Sequence, residues 1–166
     1  RDTLLAVEQG APPTLRFFRF CEATVTYGRL QTYERIQPLI PSGWAAAQRP
    51  TGGGVVFHQN DLCLSLCWPK GMAGIPQRPA EQYLWVHEQI LKALRTHADL
   101  RMAACCDVPA SQTPFLERQC FREPVGYDLM EGHTKRVGGA LRHTKTAILY
   151  QGSVQLENDH ILETAL

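Results

Sequence analysis

Three consecutive glycines, Gly52, Gly53 and Gly54, stand directly ahead of the apolar run Val55-Val56-Phe57. No other feature restricts the fold of this chain as much. Residues without a Cβ reach backbone conformations that side chains forbid, and they let a ligand or another segment lie against bare backbone. The β-branched and aromatic residues that follow read as a strand. The wider stretch Arg49-Pro50-Thr51-Gly52-Gly53-Gly54-Val55-Val56-Phe57-His58 adds a guanidinium suited to bidentate pairing with a carboxylate or phosphate. It also adds an imidazole, His58, placed to act as a polar lid. No Gly-Lys-Ser/Thr follows the glycines, so the stretch is not a Walker A loop. Taken alone, the glycines fit a plain turn with a surface arginine equally well.

The rest of the chain supplies strands in neighbouring pairs with few helices between them. Arg1 to Gln9 reads as the end of a helix stopped by Gly10, and Pro12-Pro13 then breaks the chain. Thr14 to Phe20 and Ala23 to Tyr27 read as strands, and 30–44 is mixed, with room for one short helix. After the glycines, Gly53 to Phe57 and Asp61 to Trp68 read as two more strands. In the second, Leu62, Leu64 and Leu66 alternate with Cys63, Ser65 and Cys67, the pattern of a half-buried strand. Pro69 to Pro79 reads as loop. The strongest helix runs from about Ala80 to Ala98, where Tyr83, His87, Ile90 and Leu94 recur at helical spacing. Residues 101–118 give no clear pattern, Lys145 to Gln151 reads as a strand, and Glu157 to Leu166 as a short terminal helix. These expectations make an α+β fold: a mixed, mainly antiparallel sheet flanked by helices.

At 166 residues the chain can bury one real core, so a single domain over 1–166 is expected. It opens on Arg1 with a helical pattern under way, which suggests a missing N-terminal segment. The net charge of +1, without basic or long apolar runs, calls for no nucleic acid or membrane. The six cysteines form no C-x-x-C pair and match no zinc spacing. They read as reduced thiols of a cytoplasmic protein, with Cys63 and Cys67 as small buried hydrophobes on one strand face.

Two further stretches carry chemistry. In Lys135-Arg136-Val137-Gly138-Gly139-Ala140 a lysine precedes small residues that permit close approach, although a solvated hairpin lysine would look the same. Cys120 lies fifteen positions earlier. Its thiol becomes a nucleophile if a cation such as Lys135 lies near enough to stabilise the thiolate.

The glycine stretch with Asp61-Leu62, together with Lys135-Arg136-Val137-Gly138-Gly139-Ala140 and the following strand, resembles the signatures of the lipoate–protein ligase A and octanoyltransferase family, including its K-x-x-G-x-A motif. The opening segments resemble the family as well, in the same order along nearly the whole chain. The resemblance implies the biotin/lipoate protein ligase-like catalytic fold. It implies that Arg49, Thr51, Gly52, Gly53 and Gly54 line an acyl pocket, that His58 closes one end and that Gly138, Gly139 and Ala140 follow the acyl tail. Lys135 would be the catalytic lysine. Arg136 departs from the family, where an apolar residue is common, and is expected to tilt the hairpin. Cys120-Phe121, with Tyr127-Asp128-Leu129 after it, is similar to the cysteine-dependent transferase branch. The sequence runs only a short way past Gly152-Ser153-Val154, so no accessory domain of the kind ligases use is expected. Both features favour an acyltransferase that moves an octanoyl or lipoyl group through a Cys120 thioester to a lysine of a lipoyl carrier domain. That route needs no metal or cofactor. The alternatives are an ATP- and Mg2+-dependent lipoate–protein ligase and a non-catalytic carrier- or lipoate-binding module. Expected partners are an acyl-carrier protein, a glycine-cleavage carrier or a dehydrogenase lipoyl domain, with the enzyme itself a monomer.

Overall fold

The alternating leucine run becomes strand β5 (Leu62–Pro69), the spine of a six-stranded antiparallel sheet in a computed structural model that describes residues 2–96, 98–104 and 124–155. On one side β5 pairs with β1 (Thr14–Phe18). On the other it pairs with β9 (Ala147–Val154), followed by β8 (Thr134–His143), β7 (Leu129–Glu131) and β6 (Arg101–Met102). A second, three-stranded sheet holds β2 (Thr24–Tyr27) between β3 (Ala45–Gln48) and β4 (Val56–His58). Here β2–β3 is parallel and β2–β4 antiparallel, so the expected mixed, mainly antiparallel fold is what forms. No helix among the described residues is long and apolar enough to cross a membrane.

Strand β5 is buried on both faces rather than half-buried. Its leucine face packs with Tyr150, Val137 and Ile148 under helix α3 (Pro79–Leu94). Its cysteine face is covered at one end by helix α1 (Asp2–Glu8), where Leu4 and Val7 meet Cys67 and Leu149. The period-2 pattern is real; it separates two buried surfaces of different chemistry. Helix α3 begins with Pro79 at its first position, where the missing N–H costs nothing. It stops four residues short of the expected Ala98, and Arg95 and Thr96 just beyond it are exposed.

Strand β3 was not legible in the sequence. Ala45, Ala46 and Ala47 have little strand preference of their own, and it is pairing with Thr24, Val25 and Thr26 that extends them. The second sheet closes on its own small core of Val25, Val55 and Ile36, the last from helix α2 (Tyr33–Ile36). The glycines themselves lie in a turn, and β4 begins only at Val56. Gly53 has φ +89°, and a Cβ on Gly28 would lie 2.1 Å from the Gly53 carbonyl oxygen. The end of β2 and the glycine turn therefore approach backbone to backbone.

Candidate functional site

A cavity of about 250 Å³ opens between the two sheets, and its walls are mostly apolar. Arg49, His58, Lys135, Gly138, Gly139 and Ala140 face it, together with Phe18, Phe20, Cys63 and Gln151. Thr51 and Gly52 to Gly54 do not. Thr51 is fully buried behind the wall, with its hydroxyl donating to Gln151 Oε1 at 2.9 Å. The glycine turn shapes the cavity at second hand through Arg49. That guanidinium donates to the carbonyls of Gly52 (2.9 Å) and Gly54 (2.6 Å) and to Thr26 Oγ1 (2.9 Å). These bonds tie Arg49 to its own loop, a role different from the carboxylate or phosphate clamp its residue type suggested.

At one end of the cavity, His58 belongs to a buried hydrogen-bonded group. Its Nε2 lies 2.7 Å from Thr26 Oγ1 and its Nδ1 2.7 Å from Asp61 Oδ2. Arg49 can only donate. The chain is satisfied when Arg49 donates to Thr26, Thr26 to Nε2, and the Nδ1 proton to Asp61. Asp61 Oδ2 also accepts from Ser153 and, at 3.4 Å, from Cys63. Burial by itself would raise the Asp61 carboxyl, but the His58 contact, with Ser153 and Cys63, holds it below the usual carboxylate range. Burial, then the Asp61 charge, pushes the Cys63 thiol far up, which favours the neutral thiol that donates to Asp61. Cys67 fits the expectation of a small buried hydrophobe, while Cys63 is part of the cavity wall. His58 Nδ1, Asp61 Oδ2 and Cys63 Sγ lie within 4.8 Å of one another, and among the described residues this is the grouping with donor types for a metal. Here those atoms bond to each other.

At the other end stands Lys135. It is buried, and its Nζ is 2.7 Å from Asp128 Oδ2. Its stem bends back over Gly138, where a Cβ would lie 2.2 Å from Lys135 Cε. Gly138 is therefore glycine to make room for the lysine. Gly139 has a different reason, since a Cβ there would meet the Tyr150 hydroxyl at 2.4 Å on the opposite side of the sheet. Arg136 pairs with Glu131 at 2.8 Å across the β7–β8 hairpin. The pairing register there shifts between Leu129 and Met130. Pairing places Cys63, Ser153 and Gly138 in one row over β5, β9 and β8. Two strand spacings, roughly 10 Å, thus separate the Cys63 and Gly138 backbones.

Cys120, the expected nucleophile, lies outside the described residues, as do Cys105 and Cys106. Sequence reasoning also gave no role to Asp61, Ser153, Thr26, Asp128 or Tyr83. Asp61 and Asp128 each sit in a quoted motif, as Asp-Leu pairs, and that was the signal available. Tyr83 was hidden in the apolar stripe of α3.

Comparison with known proteins identifies the family and the fold. Residues 2–163 match the lipoyl protein ligase A/B catalytic domain. The chain is 27% identical over 157 residues to octanoyltransferase LipM of Lysinibacillus sphaericus, covering 89% of this chain and 56% of the relative. It is 27% identical over 161 residues to the LipM of Bacillus subtilis, covering 92% and 57%. The chain thus spans little more than half the length of these curated relatives. The fold is similar to that of Thermoplasma acidophilum protein Ta0514 with bound lipoic acid (TM-score 0.66, 24% identity, 94% of this chain and 59% of that one). It is similar also to lipoate-protein ligase A bound with ATP (TM-score 0.62, 24% identity, 95% and 59%). With two motifs in register, a cavity between two sheets and a matched stretch that takes in nearly every residue, this chain belongs to the lipoyl protein ligase A/B catalytic domain family.

Proposed function

We propose that the protein is an acyltransferase that moves an octanoyl or lipoyl group, by way of a thioester on Cys120, to a lysine of a lipoyl carrier domain. The observation that carries this reading is an apolar cavity that ends on a buried ammonium–carboxylate pair, Lys135 with Asp128. An acyl chain needs little else, because each buried methylene contributes about 0.8 kcal/mol. Relatives named octanoyltransferase LipM, similar over most of this chain, support it.

In this reading the Cys120 thiolate attacks the carbonyl carbon of a thioester presented by an acyl-carrier protein or a lipoyl carrier. Lys135 donates to the oxyanion that develops there. The carrier sulfur leaves, taking up the proton that Cys120 gave up on forming its thiolate, and the acyl group stays on the Cys120 sulfur. The acceptor amine then attacks the same carbon, the amide forms as the carbon–sulfur bond to Cys120 breaks, and the proton the amine sheds passes to the Cys120 sulfur. Gly138 and Ala140 line the path of the chain, and Phe18, Phe20 and Cys63 close its far end. The Gly139 N–H takes no part, because it already donates to Tyr83. The acceptor is a lysine on a glycine-cleavage carrier or a dehydrogenase lipoyl domain, the enzyme works as one copy in the cytoplasm, and no cofactor is consumed.

The test is an intact-mass measurement after incubation with octanoyl-acyl-carrier protein. An octanoyl adduct that is absent from Cys120→Ala supports the thioester route. Lipoyl transfer only with ATP and Mg2+, and no adduct, replaces it with ligation. Carrier binding without either reaction makes the protein a binding module.

A further inference from the structure

The face of α3 that looks like plain core carries two polar side chains, Tyr83 and His87, four residues apart. Both reach the short turn that presents Asp128. The Tyr83 hydroxyl donates to Asp128 Oδ1 at 2.6 Å, while Oδ2 accepts from Lys135 Nζ (2.7 Å) and the Val125 N–H (2.6 Å). Every one of these atoms is needed, because Asp128 is completely buried and an unmatched carboxylate oxygen there would be costly. His87 Nδ1 donates to the carbonyl of Tyr127 at 2.7 Å, and Tyr127 has φ 72°, a left-handed conformation that a tyrosine rarely adopts. His87 Nε2 accepts from the Tyr150 hydroxyl at 2.8 Å.

The same Tyr83 hydroxyl makes a second contact. Strand β7 pairs with β8 only as far as Val137, and beyond that point the Gly139 N–H donates to Tyr83 at 3.0 Å. Gly139 adjoins Gly138, over which the Lys135 stem bends. One oxygen atom therefore touches both the carboxylate that holds the lysine amine and the strand segment that carries its stem. Burial, then the Asp128 charge, raises the phenol well above its ordinary value, which keeps it a proton donor.

We infer that Tyr83 is a positioning residue for Lys135, acting through Asp128 and the β8 backbone, although it does not line the cavity. The inference rests on the acyl-transfer reading above. It assigns α3 a part in turnover that the strand motifs do not contain.

The experiment is steady-state kinetics on the full chain with octanoyl-acyl-carrier protein, comparing wild type, Tyr83→Phe, Asp128→Asn and the double variant at a temperature where circular dichroism shows each folded. A misplacement of one reacting group by an ångström costs up to about 10²-fold. Tyr83→Phe, which keeps the ring, is expected to lower kcat by roughly 10- to 100-fold with KM within about twofold of wild type. Because Tyr83 acts through Asp128, adding Tyr83→Phe to Asp128→Asn should cost much less than it does alone. A Tyr83→Phe kcat within about twofold of wild type overturns the inference, as does a loss that multiplies fully with that of Asp128→Asn. If Asp128→Asn does not fold, the kcat and KM of Tyr83→Phe decide alone. A wild type that transfers no acyl group defeats the underlying reading first. Tyr83→Phe is then measured in ATP-dependent ligation with the same expectation, and a wild type inactive in both reactions overturns the inference too.

Discussion

The two ends of the cavity each hold a buried aspartate beside a basic side chain, and they are built for opposite ends. Asp61 lies three residues from its partner His58 and collects protons from the imidazole, a serine and a thiol. Arg49 and Thr26 continue the group on the other side of the ring. All members are short-range or strand-paired neighbours, and the result is a closed polar plug. Asp128 lies seven residues from Lys135 and draws its other side-chain donor from α3, forty-five residues away. There the basic group is a lysine on a long stem, laid across a glycine and facing the cavity. A hydrogen-bonded plug shapes and seals, whereas a cation held at a cavity wall can answer a negative charge that develops during a reaction. In the proposed function the same residue type serves structure at one end and chemistry at the other, and what differs is whether the basic partner is closed into a hydrogen-bonded group or stands at the cavity wall.

The sharpest way to break this comparison is to remove the basic partner at each end. Lys135→Met should lower turnover by about 10²- to 10⁴-fold, the usual worth of a positioned proton or charge donor. His58→Gln should leave kcat within about tenfold and instead lower stability by about 1–3 kcal/mol, through unmatched buried partners. Acyl-transfer rates set beside urea unfolding of both variants check this. Equal kinetic losses would mean that both ends take part in the chemistry.

A smaller effect is expected from Gly138→Ala, whose new Cβ would stand 2.2 Å from Lys135 Cε. The lysine stem must move, so kcat should fall by roughly 10- to 100-fold while the acyl cavity stays open. Retained binding of octanoate, followed by calorimetry, with reduced turnover would place the damage at the lysine and not at the acyl wall.

The least effect on turnover, and a clear one on stability, belongs to His87. Burial above all pushes its pKa down to about 4 from an ordinary 6.5. The unfolded chain therefore binds a proton that the folded chain resists. Stability is complete above about pH 6.5 and declines as pH falls toward 4, by about 3 kcal/mol over that window. Thermal unfolding followed between pH 7 and pH 4 should show the decline. His87→Gln should flatten it, while the Asp61 contribution remains until pH drops below the carboxylate range.

Much of the fold is legible in the sequence. The leucine alternation marked β5 and the helical stripe marked α3, and of the two motifs Arg49, His58, Lys135 and Gly138 to Ala140 face one cavity whereas Thr51 and Gly52 to Gly54 do not. Strand β3 was invisible because alanines take their conformation from the strand they pair with. The roles of Thr51 and the glycines were misplaced for a similar reason. A triple glycine announces close approach but does not say to what, and here Gly28 and the Arg49 guanidinium approach Gly52 to Gly54. Tyr83 was unreadable because a tyrosine on an apolar stripe looks the same whether its hydroxyl meets solvent or a buried carboxylate.

By itself the sequence determined the local matters: which runs extend, where α3 starts, which side chains can donate or accept, and that a lysine is followed by residues small enough to lie beneath it. Only the tertiary structure decided which aspartate meets which base, that Gly138 yields to Lys135 whereas Gly139 yields to Tyr150, and that a helix outside the cavity reaches the aspartate beside Lys135. Periodicity and residue type act over a few neighbours, while the pairing of buried charges depends on strand register and helix docking. Those are set by the whole core at once.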